Sequence, residues 1–542
     1  MLMNWWTPAF LRWWAGPGPA GPPGHLLPRW LFLRALGIIY FSAFYSLAFQ
    51  IRGLLGPHGL LPVRPYLADI STGVGLARYW YAPTLLWLNS SSPILMFLCW
   101  AGMIASLLVI LNSWPRAMLG ICFVAFLSFV TAAQDFSSYQ SDGMLLCAGL
   151  LSLFFAPSGL RPGFGGMQPP SRAPRFLLQF LWFTIYFESG LAKYLGGDPQ
   201  WRHLTALDDY YQNGPLPTWL GWYAQQLPHR FHAATAFSTL FIELFIVWLV
   251  FLPRRFRILC FLIVTPFEAG IILSANYAFL NYLVLSLGIL LLDDRFLLRF
   301  LPKSWALPVR RNLHSTESAE LSKEQMASTG RVAFRQILSS LGMWLRGIFL
   351  AWIGYAMLFF LLHEYFGPLP LPAAPVVWLE PFRVANQYGL FGRMTRYRYE
   401  IEFQGSWDGK NWTAYPFRYK PQDPSEPPGI YAPYQPRFDW NLWFASLGDW
   451  QGNPFAVHTE QQLLLNNTDV LALFKANPFS GQPPAQVRAV LWQYWFTDVA
   501  TKRQNGQWWR REMLGLYAPT LEREADGRII AREWPSQSFP PP

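Results

Sequence analysis

Charged residues are scarce in this sequence. Asp, Glu, Lys and Arg make up 13% of the 542 residues, which is about half of the roughly 25% that soluble domains contain. Hydrophobic residues account for 52% and aromatic residues for 18%. So little charge excludes an ordinary soluble globular protein. The composition favours a membrane protein, in which aromatic rings concentrate at the two lipid interfaces.

Cysteine is also rare, and its placement argues against disulfides and metal sites. The four cysteines fall inside apolar stretches, at Cys99, Cys122, Cys147 and Cys260. Their spacing matches no metal-ligand pattern. The eight histidines show no metal-binding spacing either. We therefore expect no disulfide framework, no metal and no cofactor.

Two further classes of protein are excluded by what the sequence lacks. The net charge is +11, but Lys and Arg are spread over short loops and do not interleave with aromatics in one patch, as in nucleic-acid-binding proteins. The GFGG at 163–166 lacks the strand, helix and acidic residue of a dinucleotide fingerprint. There is no G-x-S-x-G elbow. We expect neither nucleic-acid binding nor lipase activity of the chain itself.

Apolar runs long enough to cross about 30 Å of hydrocarbon recur along the chain. We predict about nine transmembrane helices, near residues 29–50, 93–112, 116–133, 143–157, 175–195, 233–252, 256–276, 277–293 and 346–363. Arg and Lys cluster on alternate loops, which the positive-inside rule assigns to the cytoplasm. The N-terminus is then inside, and the chain from residue 364 onward is outside.

After the last span the pattern becomes strand-like. RYRYEIEFQGS alternates, Asp408-Gly409 supplies a hairpin turn, and NWTAYPFRY returns as the partner strand;. A second hairpin is predicted around Asn505-Gly506, and a helix near 460–475. The fold class is therefore a membrane α-helical bundle followed by a β-rich extracytoplasmic C-terminal domain.

These boundaries divide the chain into seven parts. They are an N-terminal cytoplasmic segment (1–28), the transmembrane bundle (29–294), a cytoplasmic connection with a predicted short helix in 303–330 (295–345), the last transmembrane helix (346–363), a proline-rich linker (364–375), the β-rich domain (376–535) and a tail (536–542).

Ionisable residues inside the predicted spans mark a candidate site. Each costs roughly 2.5 to 3.5 kcal/mol at a helix centre, so each needs a partner within the protein. Glu188 and Lys193 are about 140° apart around a helix and cannot simply pair with each other. We predict one outward-opening polar cavity lined by Gln140, Asp142, Glu188, Lys193, Glu243 and Glu268. The alternative is that these charges only fix helix to helix.

The stretch QPRFDWNLWFASL at 435–447 is a second candidate site. On a strand, Arg437 and Asp439 would share a face. On a helix beginning near Asp439 as N-cap, the aromatic residues form a stripe at i, i+3, i+4 and i+7. We favour the helix. We predict that it docks the domain onto the membrane part or holds a client, through Arg437, Asp439, Trp440, Trp443 and Phe444; the alternative is domain core.

Long motifs in both halves of the chain carry a family resemblance. The membrane half contains YQSDGMLLCAGLLSLFFAP, ESGLAKYLGGDPQWRHLTALDDYYQNGPLPTWLGWYAQQLPHRFH and NYAFLNYLVLSLGILLLDD, and the C-terminal half contains NQYGLFGRMTRYRYEIEFQGSWDGKNW and YQPRFDWNLWFASL. These resemble the lipase maturation factors over roughly residues 135–540.

The resemblance implies a chaperone-like role in protein maturation. Its partners would be a secreted lipase or another exported protein client, together with membrane lipid. Eukaryotic relatives act in the endoplasmic reticulum membrane. For this chain we favour the bacterial cytoplasmic membrane, with the C-terminal domain outside.

A shorter likeness suggests an enzyme instead. YFESGLAKYLGGDPQW is similar to a segment of vitamin K-dependent γ-carboxylases in which a lysine acts as catalytic base. Lys193 stands at the corresponding position. A lysine desolvated between helices can serve as a base, so a membrane enzyme that uses Lys193 is the alternative hypothesis.

Overall fold

Helices form the described chain up to Phe366. The computed structural model describes residue 14 and residues 24–137, 139–166, 168–300 and 331–536. Most of the predicted N-terminal segment, the predicted short helix in 303–330 and the tail from 537 lie outside the described residues. The helices of the first part are α1 (Leu26–Leu55), α2 (Val63–Val74), α3 (Arg78–Tyr81), α4 (Ser92–Ile110), α5 (Pro115–Ala132), α6 (Gln140–Phe155), α7 (Arg172–Leu195), α8 (Pro199–Arg202), α9 (Tyr210–Asn213), α10 (Trp219–Gln225), α11 (His229–Leu244), α12 (Arg254–Ser274), α13 (Leu280–Gly288), α14 (Asp294–Leu297) and α15 (Arg331–Phe366).

Six helices within the described ranges are long and apolar enough to cross a membrane. They are α1, α4, α5, α11 with its continuation to Phe251, α12, and α15 from Ser340 onward. Two shorter apolar helices, α6 and residues 280–291, and the helix α7 occupy the other three predicted spans. The membrane part thus has six candidate spans, and the count of nine stays a prediction.

The bundle is built around α1 and α7. Helix α1 packs along α4, α4 packs on α5, and α5 packs on α6. Helix α7 packs on α6, α11, α13 and α15. Their contact faces are large and apolar; Phe32, Tyr40, Phe44, Leu146 and Trp182 are almost fully buried. Because these helices are apolar on most sides, they suit a bundle interior or lipid contact rather than water.

The two ends of the bundle differ in charge. At one end Arg29 donates to the carbonyls of Phe164, Gly165 and Gln168, and Arg116 donates to Ala156 O. At the other end of α1, Gln50 bonds to the C-terminal domain. Arg29 and Gln50 are about 32 Å apart along the helix at 1.5 Å per residue. The arginine-rich end therefore lies opposite the C-terminal domain.

The C-terminal domain combines one antiparallel sheet with short helices. The helices are α16 (Ala374–Val377), α17 (Arg437–Ala445), α18 (Phe455–Leu464), α19 (Thr468–Leu471) and α20 (Val499–Asn505), and the strands are β1 (Arg398–Ser406), β2 (Thr413–Ala414), β3 (Gln486–Phe496), β4 (Trp509–Leu516), β5 (Thr520–Arg523) and β6 (Ile529–Glu533). The order is β2-β1-β3-β5-β6, with β4 also paired to β3. The predicted β-rich character is confirmed.

Both predicted hairpins pair as antiparallel strands. Strands β1 and β2 pair through Gln404 and Ala414, and Gly409 between them has a φ of +70°, which glycine adopts without steric cost. Strands β3 and β4 also pair. The connection between β3 and β4 is longer than the predicted turn at Asn505-Gly506, because it contains α20, whose C-cap residue is Gly506.

Several boundaries differ from the sequence-based expectation. Helix α15 begins at Arg331 and ends at Phe366, so it extends beyond the predicted span 346–363 on both sides. The helix predicted near 460–475 is two helices, α18 and α19. Helix α17 begins at Arg437 with Pro436 as N-cap residue. The prediction that Asp439 is the N-cap was wrong, because Asp439 lies in the first turn and its side chain binds a neighbouring loop.

Candidate functional site

Lys193 near the end of α7 forms a buried ion pair with Glu243 of α11. Its ammonium lies 2.8 Å from both carboxylate oxygens of Glu243 and 2.9 Å from Leu390 O. Lys193 is 3% exposed. The helices approach closely here because residue 190 is glycine, where a Cβ would lie 2.9 Å from Glu243 Cβ. All three ammonium protons have acceptors.

Glu268 of α12 lies in the same polar group but uses other partners. Its Oε2 accepts a hydrogen bond from the Tyr186 hydroxyl at 2.7 Å, and its Oε1 accepts one from Asn281 Nδ2 at 2.6 Å. Helices α7, α12 and α13 thus each contribute one side chain. The carboxylate is buried, and each of its oxygens accepts one hydrogen bond from a neutral donor.

A loop of the C-terminal domain supplies backbone partners to the polar side chains of α6 and α7. We call residues 386–395 (NQYGLFGRMT) the clasp segment. Tyr388 N donates to Glu188 Oε2 at 2.6 Å, Gly389 N to Gln140 Oε1 at 3.3 Å, and Leu390 O accepts from Lys193. The charges of α7 therefore bind the clasp segment as well as other helices.

The loop between α7 and α10 holds the rest of the clasp segment. Trp201 Nε1 donates to Phe391 O at 2.9 Å, Met394 N donates to Asp198 Oδ2 at 2.7 Å, and Asn213 Nδ2 donates to Thr395 O at 2.8 Å. Each of these bonds joins the membrane part to the C-terminal domain. Together they fix an irregular backbone in one position.

Asp142 at the start of α6 pairs with Arg437 of α17. The guanidinium nitrogens lie 2.8 Å from the two carboxylate oxygens, a bidentate arrangement;. Arg437 also donates to Phe136 O at 2.5 Å. Both side chains are buried. This pair crosses the boundary between the membrane part and the C-terminal domain, which the sequence did not reveal because the two residues are far apart in the chain.

Asp439 does not pair with Arg437, although a shared face was considered. Its Oδ1 accepts from the backbone N–H groups of Tyr419 and Lys420, each at 3.2 Å. Burial raises the pKa of Asp439 to about 6, and the Lys420 N–H and ammonium only partly offset that rise. Asp439 therefore anchors a loop inside the domain.

The aromatic face of α17 points toward the membrane part. The Trp440 ring lies 6.1 Å from the Tyr139 ring and 6.2 Å from the Tyr277 ring, and Phe444 lies 5.9 Å from Tyr139. Phe444 is 46% exposed, whereas Trp440 and Trp443 are each 8% exposed. These rings of α17 thus contact Tyr139 and Tyr277 of the membrane part.

Two cavities lie beside these residues. A cleft of about 1090 Å³ separates the C-terminal domain from the membrane part. Its walls include Gln140, Trp440, Trp443 and Phe444. A second cavity of about 450 Å³, which we call the membrane cavity, is lined by Lys193, Glu243 and Glu268 among the helices.

The six residues predicted to share one cavity are thus divided. Lys193, Glu243 and Glu268 line the membrane cavity. Gln140 lines the interdomain cleft, Asp142 is buried against Arg437, and Glu188 is buried against the clasp segment. A single cavity was the wrong expectation, because backbone groups of the C-terminal domain reach in between these side chains.

Sequence reasoning missed the partners on the C-terminal side. Leu390, Phe391 and Met394 act through backbone atoms, which no side-chain pattern reports. The available signal was the motif NQYGLFGRM itself, whose Gly389 and Gly392 permit close approach. A Cβ at Gly392 would lie 3.0 Å from Ala192 Cβ of α7.

Comparison with known families covers both parts of the chain. A family model for the lipase maturation factor transmembrane domain matches residues 27–299. A model for the lipase maturation factor C-terminal domain matches residues 384–519, beginning just before the clasp segment. The chain belongs to the lipase maturation factor family. The similarity thus starts earlier than residue 135, where the quoted motifs begin.

Curated members of the lipase maturation factor family align over nearly the whole chain. Lipase maturation factor 1 of Bos taurus is 30% identical over 96% of this chain and 96% of its own length. Lipase maturation factor 2 of Gallus gallus is 31% identical, covering 91% of this chain and 81% of its own. Human lipase maturation factor 1 is 30% identical, covering 94% and 91%. No solved structure matches the chain.

Proposed function

We propose that this protein is a membrane-embedded maturation factor that assists folding or assembly of secreted lipases or other exported clients. The observation that carries the proposal is the family match across both parts, at about 30% identity with relatives named lipase maturation factors. A match confined to the helices would say nothing of the C-terminal domain. Here both parts match and are joined by buried bonds.

The interdomain cleft is the proposed client-binding site. Its volume of about 1090 Å³ slightly exceeds the usual range for ligand pockets, about 300 to 1,000 Å³. Half-exposed Phe444 and the rings of Trp440 and Trp443 give it the aromatic character common at protein interfaces. A client with exposed apolar surface near the membrane would find such a surface there.

We further propose that the C-terminal domain lies on the extracytoplasmic side, which in a bacterial host is outside the cytoplasmic membrane. The arginine-rich end of the bundle supports this orientation, because short cytoplasmic loops carry an excess of Lys and Arg. Arg29, Arg116 and Arg254 all lie at that end. Exported clients would then meet the cleft after translocation.

Co-expression with a secreted homodimeric lipase tests the proposal. Cells lacking a maturation factor should secrete lipase of higher specific activity when they carry this chain. Phe444→Ala should reduce that gain, because Phe444 is the most exposed of the three ring residues in the cleft. Phe300→Ala, at an exposed aromatic on the opposite end, is the matched control. An unchanged gain in Phe444→Ala would argue against the cleft, and no gain from the wild-type chain would argue against the function.

The geometry of Lys193 does not favour the alternative of an enzyme. A catalytic base needs a free lone pair. The ammonium of Lys193 is held by Glu243 and by Leu390 O. We therefore do not propose a catalytic role for Lys193.

A further inference from the structure

The membrane cavity opens between the two helices of the bundle that are least covered by protein. One wall is a single face of α11, formed at four-residue intervals by Phe231, Thr235, Thr239 and Glu243;. The facing wall belongs to α12. In the most apolar stretch of α11 and its continuation to Phe251, only 33% of the residues are buried inside the protein, and in that of α12 only 17%. The cavity is therefore bordered by the lipid-facing side of the bundle.

Small residues keep the wall of α12 open. Pro266, Gly270 and Ser274 lie four residues apart and all line the cavity. A Cβ at Gly270 would meet no atom within 4 Å. On the opposite wall the hydroxyls of Thr235 and Thr239 donate to carbonyls of their own helix. The membrane cavity, which forms a slot between α11 and α12, therefore offers apolar contacts to an acyl chain that enters from the bilayer.

The inner end of the slot is polar and rich in hydrogen-bond acceptors. The ammonium protons of Lys193 are all engaged, and the Tyr186 hydroxyl donates to Glu268. A carboxylate has about four lone-pair sites, and Glu243 and Glu268 each accept only two side-chain hydrogen bonds. Unused acceptors remain, while the proton of Tyr186 and those of Lys193 are taken.

Because acceptors are free and donors are occupied, the membrane cavity favours a ligand whose headgroup donates hydrogen bonds. A carboxylate or phosphate is an acceptor and would find the Lys193 protons and the Tyr186 proton already occupied. A neutral hydroxyl can donate a hydrogen bond to an unused carboxylate lone pair and brings no further charge into the cavity. The volume of about 450 Å³ falls within the range of small-molecule pockets, about 300 to 1,000 Å³.

We infer that the membrane cavity binds a neutral lipid with a hydroxyl headgroup, of the acylglycerol class, its chain between α11 and α12 and its hydroxyl at Glu243 and Glu268. This site goes beyond client maturation, since it requires no client. The ligand would enter sideways from the membrane.

The test uses the full chain in lipid nanodiscs and 1-oleoylglycerol carrying a photoreactive group in its chain. Crosslinks should map to α11 and α12. Gly270→Phe should lower labelling at least fivefold, because the ring fills the slot. Gly342→Phe is the matched control, since Gly342 on α15 also has open space at its Cβ position and does not line the cavity. Equal labelling of Gly270→Phe and wild type would overturn the site.

Competition by unlabelled lipids tests the headgroup without changing the protein. We expect 1-oleoylglycerol to compete about five- to thirtyfold more strongly than methyl oleate, the gain from one or two hydrogen bonds of about 1 kcal/mol each. Oleate should compete less well than 1-oleoylglycerol. Equal competition by methyl oleate, or stronger competition by oleate, would overturn the hydroxyl assignment. Lipase secretion is not measured, so failure here leaves the proposed function untouched.

Discussion

At the scale of single residues, two buried ion pairs join separate parts of the chain. Lys193 pairs with Glu243, and Arg437 pairs with Asp142, in both cases through two carboxylate oxygens. Such pairs contribute little net stability, but removing one partner leaves an uncompensated charge at a cost of about 3 to 5 kcal/mol. Their main effect is therefore to fix which helix, and which domain, lies against which.

The Lys193–Glu243 pair should respond unequally to removal of either partner. Neutralising a stranded ammonium at pH 7 costs about 4.6 kcal/mol from reference titration values, against about 3.7 kcal/mol for a stranded carboxylate. Glu243→Leu should thus destabilise the protein more than Lys193→Met. Unfolding by sodium dodecyl sulfate titration of the protein in micelles measures both.

The double variant Lys193→Met/Glu243→Leu is the control for this prediction. Because no charge is left unpaired, it should lose less stability than Glu243→Leu alone. Additive losses in the double variant would show that the two residues do not act as a pair.

Glu460 in α18 predicts a pH dependence of stability. It is fully buried, and burial raises its pKa well above its ordinary value, only partly offset by the Ala489 backbone amide. Above about pH 4.5 the unfolded chain ionises Glu460 while the folded chain keeps the proton. The folded state then binds more protons, so stability falls as pH rises, by about 1.4 kcal/mol per pH unit.

Glu460→Gln should remove this contribution to the slope above about pH 4.5;. Urea unfolding of the full chain at several pH values measures it, and Glu426→Gln at an exposed position is the control. Parallel slopes for Glu460→Gln and wild type would mean that Glu460 ionises in the folded state.

At the scale of elements, the sequence pattern predicted strands and turns, but it did not predict the buried ion pairs that cover them. The alternation of RYRYEIEFQGS predicted β1, and Asp408-Gly409 predicted its turn. All residues of β1 are nevertheless buried, because Glu400 pairs with Lys420 at 2.9 Å and Glu402 with Arg511 at 3.1 Å. A strand that reads as half-exposed is covered on both faces once its charges are paired.

The clasp segment illustrates what sequence pattern cannot supply. It has no periodicity, and its bonds to α6 and α7 use backbone atoms of Tyr388, Gly389 and Leu390. Its position depends on side chains about two hundred residues earlier. Only the glycines hint at close packing, and they do not say against what.

Gly392→Leu should displace the clasp segment from α7. A Cβ at this position lies 3.0 Å from Ala192 Cβ, and overpacking of such a contact costs typically about 1 to 3 kcal/mol. We expect a lower melting temperature of the full chain and faster proteolysis near residue 392. Gly481→Leu, whose Cβ position is open, should change neither. Identical behaviour of the two variants would mean that the clasp segment is not tightly held.

At the scale of the whole molecule, the C-terminal domain binds the end of the bundle that lies opposite the arginine-rich end. Asn276 accepts from Tyr431 N and donates to Gly429 O, and Gln50 donates to Gln435 O. The long apolar runs predicted the membrane part, and the strand-like alternation predicted the C-terminal domain. Their mutual arrangement rests on such single contacts, which no local pattern encodes.

Cysteine labelling measures the orientation of the whole molecule. A single cysteine replacing exposed Lys475 in the C-terminal domain should react with a membrane-impermeant maleimide in intact cells. A cysteine replacing exposed Arg299 at the arginine-rich end should react only after permeabilisation. The four native cysteines are buried and give the background. Reaction of the Arg299 site in intact cells would reverse the proposed orientation.

The maturation role is tested by the specific activity of a secreted homodimeric lipase in cells that lack a maturation factor. We expect the wild-type chain to raise the activity per mass of secreted lipase. Arg437→Met, which unfastens α17 from Asp142, should lose most of that gain at equal expression. If the lipase leaves the cell with the same specific activity with and without this chain, the assignment of a maturation role is contradicted.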